Sequence, residues 1–174
     1  MDGDSIFDRG GSLLLATSTM NRTAALLIGA MGLMVLSCGR RDVSQPPEVH
    51  FGEDVCTACG MIISDERYAA ALWVVDEYGE YTPMRFDDIG EMAQWERGHP
   101  AAEIAARFVG LVDADNWSSA GEAIYVQSSE LHTPMAYGIV AFASRYLAQA
   151  RANSVKGAVL TYEEVLQAAA PQAQ

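Results

Sequence analysis

Two cysteines separated by two residues open the stretch of this chain with the greatest chemical potential, which reads Cys-Thr-Ala-Cys-Gly-Met from Cys56 to Met61. A tight turn would let both sulfurs converge, and Gly60 can adopt the backbone angles that such a turn needs. Cysteine binds metals as the thiolate, and Met61 adds a neutral thioether. Thiolate and thioether ligands select Cu(I) among the common biological metals. The pattern therefore predicts a soft-metal site.

A second source of soft ligands is the tripeptide Thr-Pro-Met, which occupies residues 82–84 and 133–135. Proline restricts the backbone and removes a hydrogen-bond donor, so we expect each methionine at a strand edge or a bend. Methionines usually fill cores, but the repeated context leaves core filling and a functional role equally open for Met135. The two tripeptides could bring Met84 and Met135 to a single cleft.

The candidate ligands can be ranked by softness and position. Cys59 comes first, because its thiolate would offset the charge of Cu(I) and it adjoins the glycine of the turn. Met135 is the preferred thioether from the second tripeptide. His132 could join it only if the chain bends at Pro134, because residues 132 and 135 face opposite sides of an extended segment. The candidate metal ligands are Cys59, Met61, Met135, Cys56 and His132.

The chain also carries an export signal, which we expect to begin at an internal methionine. Residues 1–19 are acidic near their start, unlike a secretory leader, so we interpret them as a start-site artefact before Met20. The apolar run at residues 23–36 is shorter than the roughly 20 residues of a membrane-spanning helix. Residues 35–38, Val-Leu-Ser-Cys, resemble the lipobox of bacterial lipoproteins. Residues 20–37 are therefore predicted to be a lipoprotein signal peptide, with Cys38 as the lipidation site.

The lipobox and the charge together predict where the protein lies and what it contacts. Gly39 after the lipobox favours the outer membrane over the inner one, with the folded body facing the periplasm. The alternative is simple cleavage near Ser37, which would leave Cys38 free. The net charge of −12 argues against nucleic acid and anionic lipid headgroups as partners. Such a charge suits cations or a basic protein face, or serves solubility alone.

The elements that must position the ligands form one domain. Residues 38–49 are polar and include Pro46 and Pro47, which predicts a linker between the lipid and the folded body. The length of residues 50–170 suits a single core rather than two domains. We expect this domain to contain two internal repeats, at about residues 50–100 and 105–150.

Each repeat is predicted to be a β-β-α unit within an α+β fold. The β-prone runs at 68–75 and 107–112 each lead into a polar turn. In the first repeat, Asp87 or Asp88 would cap a helix that ends near Gly98. The second helix is predicted from an apolar face formed by Ile139, Phe142, Ala143, Tyr146 and Leu147. A last strand at 158–162 would lead into a short terminal helix.

The order of motifs along the chain supports a family resemblance. After the lipobox cysteine come Cys-x-x-Cys-Gly-Met-x-Ile at 56–63, Tyr-Ala-Ala at 68–70, Arg-Phe-Asp-Asp-Ile-Gly-x-Met-x-x-Trp at 85–95 and Thr-Pro-Met-x-x-Gly at 133–138. This series resembles the NosL family, copper-binding lipoproteins of nitrous oxide reductase assembly. The resemblance runs from Cys38 to about Ala148. The combined order is specific, whereas Cys-x-x-Cys alone would not be.

The resemblance implies a fold, a cargo and a set of partners. The implied fold has two β-β-α-β-type repeats and is related to the organomercurial lyases. The implied role is non-enzymatic delivery of Cu(I) to the copper centres of nitrous oxide reductase, with an ABC-type transporter and its periplasmic partner. Relatives often carry cysteine at the position of Glu91, so this chain departs from the pattern there. The departure argues against a thiol on this helix as part of the site.

Three other functions compete with copper delivery. The cysteine pair could serve a thiol-disulfide oxidoreductase, but the chain lacks the β-α-β order of thioredoxin-like proteins. It could hold structural zinc, with His50 and His99 as the nearest further ligands, but a closed set of four is not evident. An organomercurial-lyase-like activity fits poorly with a lipid anchor. The sequence leaves open whether Cys56 binds metal or oxidises with Cys59, and whether a homodimer shares the site.

Overall fold

The computed structural model describes residues 41–169, which fold into two antiparallel sheets and three helices. The predicted α+β class is confirmed. The predicted signal peptide, the lipidation site Cys38 and the final residue of the predicted domain, Ala170, lie outside the described residues.

The first sheet contains four strands in the order β2-β1-β3-β4. Their bounds are β1 Ala70–Val75, β2 Tyr81–Phe86, β3 Glu103–Gly110 and β4 Trp117–Ser119. A tight turn joins β1 to β2, because the Asp76 carboxylate accepts the backbone N–H groups of Tyr78 and Glu80 and Gly79 takes a φ of +78°. Helix α1, Ile89–Gly98, follows β2 and begins at the N-cap Asp88, as predicted.

The second sheet contains three strands in the order β6-β5-β7. Its strands are β5 Ile124–Gln127, β6 Ile139–Phe142 and β7 Ala158–Leu160, with helix α2, Arg145–Ser154, between the last two. Helix α3, Tyr162–Ala168, ends the described chain, and a capping box formed by Thr161 and Glu164 fixes its start. The predicted last strand and terminal helix are thus present.

The two sheets share one topology. The series β1-β2-α1-β3 and β5-β6-α2-β7 are both β-β-α-β units, and in each the first strand lies between the other two. Strand β3, which includes most of the run at 107–112, completes the first unit rather than opening the second. The structural units therefore span residues 70–110 and 124–160, whereas the sequence placed their equivalents at about 50–100 and 105–150.

The predicted second helix was wrong in its position. Residues Ile139–Phe142 form a buried strand paired with β5, because four consecutive apolar residues suit a strand covered on both faces. The helix begins only after the N-cap Ser144, and its buried face consists of Ala148 and Ala152. Tyr146 and Leu147, expected on that face, are 81% and 44% exposed.

One hydrophobic core joins the two units. Buried residues of the first sheet and α1, including Leu72, Phe86 and Met92, belong to the same cluster as Tyr125 and Val165 of the second unit. Helices α1 and α3 are also tied by polar contacts, since the Tyr162 hydroxyl donates to the Glu96 carboxylate at 2.5 Å. The C-terminal half of α1 is therefore held in place by α3.

The described part of the predicted linker lies against the first sheet. The indole N–H of Trp73 donates to the backbone carbonyl of Gln45 at 2.8 Å, and the guanidinium of Arg85 donates to that of Glu48 at 2.7 Å. Pro47 is buried. Within residues 41–169, none of the helices has the length and apolar character needed to cross a membrane.

Candidate metal centre

The two cysteines lie in a short hairpin, residues 55–62, which we call the cysteine hairpin. Its ends form an antiparallel bridge between Val55 and Ile62. Within it, the N–H of Cys56 donates to the carbonyl of Met61 at 2.7 Å, and the N–H of Gly60 donates to the carbonyl of Cys56 at 2.9 Å. Gly60 has a φ of +75°, which confirms its predicted role in the turn.

The cysteine hairpin is fastened to the edge strand β2. The N–H of Thr57 donates to the carbonyl of Arg85 at 2.7 Å, and the N–H of Arg85 donates back to the Thr57 hydroxyl at 3.0 Å. Two residues past this strand, the chain enters the N-terminal turn of α1. The hairpin and the first turn of α1 are therefore brought together by the path of the chain through β2.

A carboxylate of α1 completes the site. Cys56 is 2% exposed, and its Sγ donates a hydrogen bond to Oε2 of Glu91 at 2.8 Å. Cys59 is exposed, and both cysteines are free thiols. The sulfurs of Cys56 and Cys59 and a carboxylate oxygen of Glu91 all lie within 4.8 Å of one another. Two sulfurs and one oxygen at this spacing can converge on a single metal ion.

The buried thiol is held in its protonated form. Burial and the hydrogen bond to Glu91 together raise the pKa of Cys56 to about 12. Backbone N–H groups of Cys59, Asp87 and Ala58 act in the opposite direction on this pKa, but more weakly. These groups would stabilise a thiolate once its proton had left. A metal ion that bound this sulfur would therefore have to displace its proton.

Two consecutive aspartates connect the site to both units. Asp87 accepts the backbone N–H of Ser64, just beyond the cysteine hairpin, at 3.3 Å. Asp88, fully buried, accepts the N–H of Gly90 through Oδ1 at 2.8 Å. Its Oδ2 accepts the Thr133 hydroxyl at 2.6 Å and the N–H of Met135 at 3.1 Å. The predicted capping role of this pair is confirmed for Asp88, and both carboxylates position the surrounding loops.

The second Thr-Pro-Met tripeptide lies in a loop, residues 131–138, that packs on the first turn of α1. Tyr137 lies against Gly90, where a Cβ would be only 2.3 Å from the Cβ of the tyrosine. Its hydroxyl also donates to the side chain of Gln94. Burial raises the pKa of Tyr137, and the charges of Glu91, Asp88 and Cys59 raise it further. This loop therefore shares the electrostatic environment of the cysteine hairpin.

The predicted ligands occupy different positions around the site. Cys56 and Cys59 are brought together, and Met61 is 47% exposed at the end of the hairpin turn. Met135 is half-buried beside the Asp88 carboxylate. A turn closed by the N–H of Ala136 and the carbonyl of Thr133 supplies the bend that the sequence required at the proline.

His132 lies on the other side of that bend. It is exposed and lines a cavity of about 310 Å³ together with Arg67 and Arg151. Its role as a metal ligand stays a prediction, as do those of Cys59, Met61, Met135 and Cys56.

The idea that both tripeptides share one cleft was wrong. Met84 lies in the edge strand β2 and lines a cleft with Trp95 and His99, at the C-terminal end of α1. Met135 contacts the N-cap, at the opposite end of the helix. The strand-edge and bend positions predicted for the two methionines are nevertheless both observed.

Glu91 is the site residue that sequence reasoning missed. It was interpreted as the loss of a thiol, but its carboxylate occupies the position facing Cys56. Glutamate is common in the first turn of a helix, where it favours the helix dipole, so its type alone gave no sign of a ligand. The sequence signal that could have identified Glu91 as a site residue was its position. It lies three residues after the capping Asp88, on a helix that follows the strand β2 to which the hairpin is fastened.

Comparisons with known proteins address the family and the fold of the chain. A sequence model of the family described as NosL matches residues 49–170. The crystal structure of the copper chaperone NosL from Shewanella denitrificans superposes with a TM-score of 0.60, covering 69% of this chain and 95% of that one at 16% sequence identity. At that identity the likeness shows a shared fold. No curated protein matches the chain.

Proposed function

The chain belongs to the NosL family, and from this premise we propose that it is a copper chaperone that binds Cu(I) through the two cysteines of its hairpin. The observation that carries the proposal is the convergence of two sulfurs and the Glu91 oxygen within 4.8 Å. Soft thiolates satisfy Cu(I). The copper chaperone whose fold this chain shares supports the same cargo.

The unequal exposure of the two cysteines suits a carrier that must both take up and release its metal. Cys59 is exposed and can meet an incoming copper complex, while Cys56 is buried beneath it. Copper would bind Cys59 first and then Cys56, as the latter loses its proton. Release would follow the reverse order, with an acceptor ligand replacing Cys59 first.

Thioethers would complete the copper environment. Met61 and Met135 both lie next to groups that belong to the site, one on the cysteine hairpin and one beside Asp88. A neutral thioether adds affinity without adding charge, which keeps the metal exchangeable. We assign Met135 the larger contribution, because Asp88 holds its backbone while Met61 lies at the exposed end of the turn.

Family membership supports a proposal for the destination of the copper. We propose that the acceptor is nitrous oxide reductase, reached with its ABC-type transporter and periplasmic maturation partners. We further propose that Cys38 carries a lipid that holds the protein at the periplasmic face of a membrane, the outer one in preference to the inner. Mass spectrometry of Cys38 in protein extracted from membranes tests the anchor directly.

The first test of copper binding is competition for Cu(I) between the reduced protein and a chromophoric chelator. We expect one copper per chain whose binding depends on the two thiols. Replacing either thiol, in Cys56→Ser or Cys59→Ser, should weaken binding by more than about 100-fold, beyond the usual effect of losing a supporting residue. Met135→Leu should weaken binding by about tenfold, since a thioether is the weaker ligand.

The matched control for these variants is His50→Gln. His50 lies near the cysteine hairpin but pairs with Glu48 and Asp54 at the surface. Its replacement should leave copper binding unchanged. Full affinity in both serine variants, or binding of Zn(II) with no binding of Cu(I), would overturn the proposal.

The setting of Cys56 is unsuited to the attacking thiol of an oxidoreductase. A thiol that attacks disulfides needs an accessible thiolate, and its rate depends on the fraction ionised. Cys56 instead is buried, and its pKa is raised to about 12. The proton would have to leave before any attack, and the neighbouring carboxylate holds it in place. Metal binding, in which the cation displaces that proton, fits the geometry better.

A further inference from the structure

A second cluster of soft donors lies away from the cysteine hairpin, at the C-terminal end of α1. A cleft of about 530 Å³ opens there between β2 and the segment after the helix. Its lining includes Met84, Trp95 and His99, with alanine and valine side chains around them. The first Thr-Pro-Met tripeptide supplies the methionine, and the proposed function does not use it.

The hydrogen bond of His99 leaves Nε2 as the ring nitrogen that can bind a metal. Its Nδ1 lies 2.8 Å from the backbone carbonyl of Trp95, and a carbonyl can only accept a hydrogen bond. Nδ1 therefore carries the proton, and the lone pair of Nε2 is available. Metal-binding histidines commonly use one nitrogen in this way to fix the other. The imidazole also stacks on the indole of Trp95, with centroids 4.2 Å apart and planes 15° from parallel.

Met84 faces the same space. It lies on β2 between Thr82 and Phe86, and alternation along a strand places these three side chains on one face. Thr82 also lines the cleft, and the ring of Phe86 lies 6.1 Å from that of Trp95. The thioether of Met84 is half-buried among them. The cleft thus combines a thioether, an imidazole nitrogen and the face of an indole.

This donor set selects for a soft monovalent cation. Asp76 is the carboxylate that lines the cleft, but its Oδ1 already accepts two backbone N–H groups of the β1–β2 turn. Neither Cys56 nor Cys59 borders the cleft. Calcium and magnesium prefer oxygen ligands, whereas thioether and imidazole suit Cu(I), and an aromatic face attracts a cation above it.

We propose that Met84 and His99 form a second Cu(I) site, covered by the indole of Trp95. Because this site contains no thiol, it keeps its ligands when Cys56 and Cys59 are oxidised to a disulfide. The protein would then hold copper at one end of α1 under oxidising conditions and at both ends when its thiols are reduced. The inference goes beyond the proposed function and does not depend on the cysteine site.

The test uses Ag(I), a soft cation with the charge of Cu(I) that does not change oxidation state. It is added to the full chain in which Cys38, Cys56 and Cys59 are all serine, so that no thiol competes. Binding is followed by tryptophan fluorescence and by the imidazole ¹⁵N resonances. We expect one equivalent of Ag(I) to quench the fluorescence and to shift Nε2 of His99 while Nδ1 stays protonated.

Matched variants locate the site. Met84→Leu and His99→Gln should each weaken Ag(I) binding at least tenfold, and Trp95→Phe should remove most of the quenching. His50→Gln, which replaces a histidine elsewhere on the surface, should have no effect. Circular dichroism confirms that each variant is folded.

Absence of Ag(I) binding in the cysteine-free chain would overturn the second site, as would binding that survives both Met84→Leu and His99→Gln. The two proposals can fail separately. Loss of the second site would leave the Cu(I) affinity that depends on Cys56 and Cys59 untouched. Conversely, a Cu(I) affinity and stoichiometry that stay unchanged when Cys56 and Cys59 are both replaced by serine would count against the cysteine site alone.

Discussion

Cys56 and Glu91 lie 35 positions apart in the chain, and Sγ of the cysteine donates a 2.8 Å hydrogen bond to Oε2 of the glutamate. Both side chains are buried. A thiol in this setting keeps its proton, because ionisation would place a second negative charge beside the carboxylate in a poorly solvated position. The proton is thus part of the resting site, and several measurements can detect it.

Replacing Glu91 should make Cys56 more acidic. The hydrogen bond from the Cys56 thiol to the Glu91 carboxylate is the second largest cause of the raised pKa of Cys56. In Glu91→Gln a neutral amide replaces that carboxylate, so this cause is removed. We expect the ionisation midpoint of Cys56 to fall from about 12 by one unit or more while burial still holds it above 9.0. The ¹³Cβ shift of Cys56 across a pH titration measures this midpoint.

The control is Glu53→Gln, at an exposed position just before the cysteine hairpin, which should leave the midpoint of Cys56 unchanged. A midpoint that rises in Glu91→Gln would contradict this account.

Copper binding should release the proton of Cys56. Since the pKa of this thiol is about 12, it is protonated at neutral pH, and Cu(I) must displace the proton to bind the sulfur. In the Cys59→Ser background, we expect apparent affinity to rise about tenfold per pH unit between pH 6 and 9, as one proton is exchanged. Calorimetry in buffers of different ionisation enthalpy counts the protons. An affinity independent of pH over that range would show that Cys56 does not bind as the thiolate.

Asp87 should stabilise the fold in acid. Burial is the main cause that raises its pKa above the usual 3.8, and the charges of Glu91 and Asp65 add to it. Asp87 therefore binds a proton more readily in the folded state than in the unfolded state. Its contribution to the free energy of unfolding is full below pH 3.8 and is lost as the pH rises through the raised pKa. We therefore expect wild type to gain stability over Asp87→Asn as the pH falls from 7 to 4, measured by urea unfolding.

Asp65 provides the opposite control. Arg67 lowers the pKa of this carboxyl through a side-chain hydrogen bond. Its stabilisation is present at neutral pH and is lost as the pH falls through the lowered value. The advantage of wild type over Asp65→Asn should therefore shrink in acid. If the stability advantage of wild type over Asp87→Asn and its advantage over Asp65→Asn both grew, or both shrank, as the pH fell, the assigned cause for Asp87 would be wrong.

Gly90 should not tolerate a side chain. A Cβ there would lie 2.3 Å from both Cβ and Cγ of Tyr137, so Gly90→Ala must displace the loop at 131–138. We expect a loss of about 1–3 kcal/mol in the free energy of unfolding, typical of overpacking. Gly98→Ala, in the same helix with nothing within 4 Å, should instead add about 0.5–1 kcal/mol. Thermal unfolding of the two variants compares them, and equal effects would rule out the steric explanation.

The chemistry near the cysteines was readable from sequence because it depends on local spacing. The turn at Gly60, the cap at Asp88 and the helix after it all follow from residue type and position within a few residues. The four-residue strand at Ile139–Phe142 was mistaken for the start of a helix, since a short buried strand and a buried helical segment have the same composition. Only its pairing with Tyr125 and its neighbours separates the two.

The contacts that complete the site could not be predicted from the sequence, for a different reason. Glu91 meets Cys56 only because the hairpin is fastened to β2 at Arg85, a tertiary contact with no local signature. The separation of Met84 from Met135 likewise follows from placement at opposite ends of α1. The repeated tripeptide suggested equivalent positions, but one copy lies in a strand and the other in a loop, so sequence similarity did not imply structural equivalence.

The Asp88 carboxylate accepts hydrogen bonds from Gly90 and Met135, residues that belong to different units of the fold. A single opening motion that withdraws this side chain would release both amides together. Hydrogen exchange of the two amides should then give one common free energy of opening, although the residues are far apart in sequence. The first turn of α1 and the loop at residues 131–138 thus form one cooperative element, and whatever loosens either will open both to water.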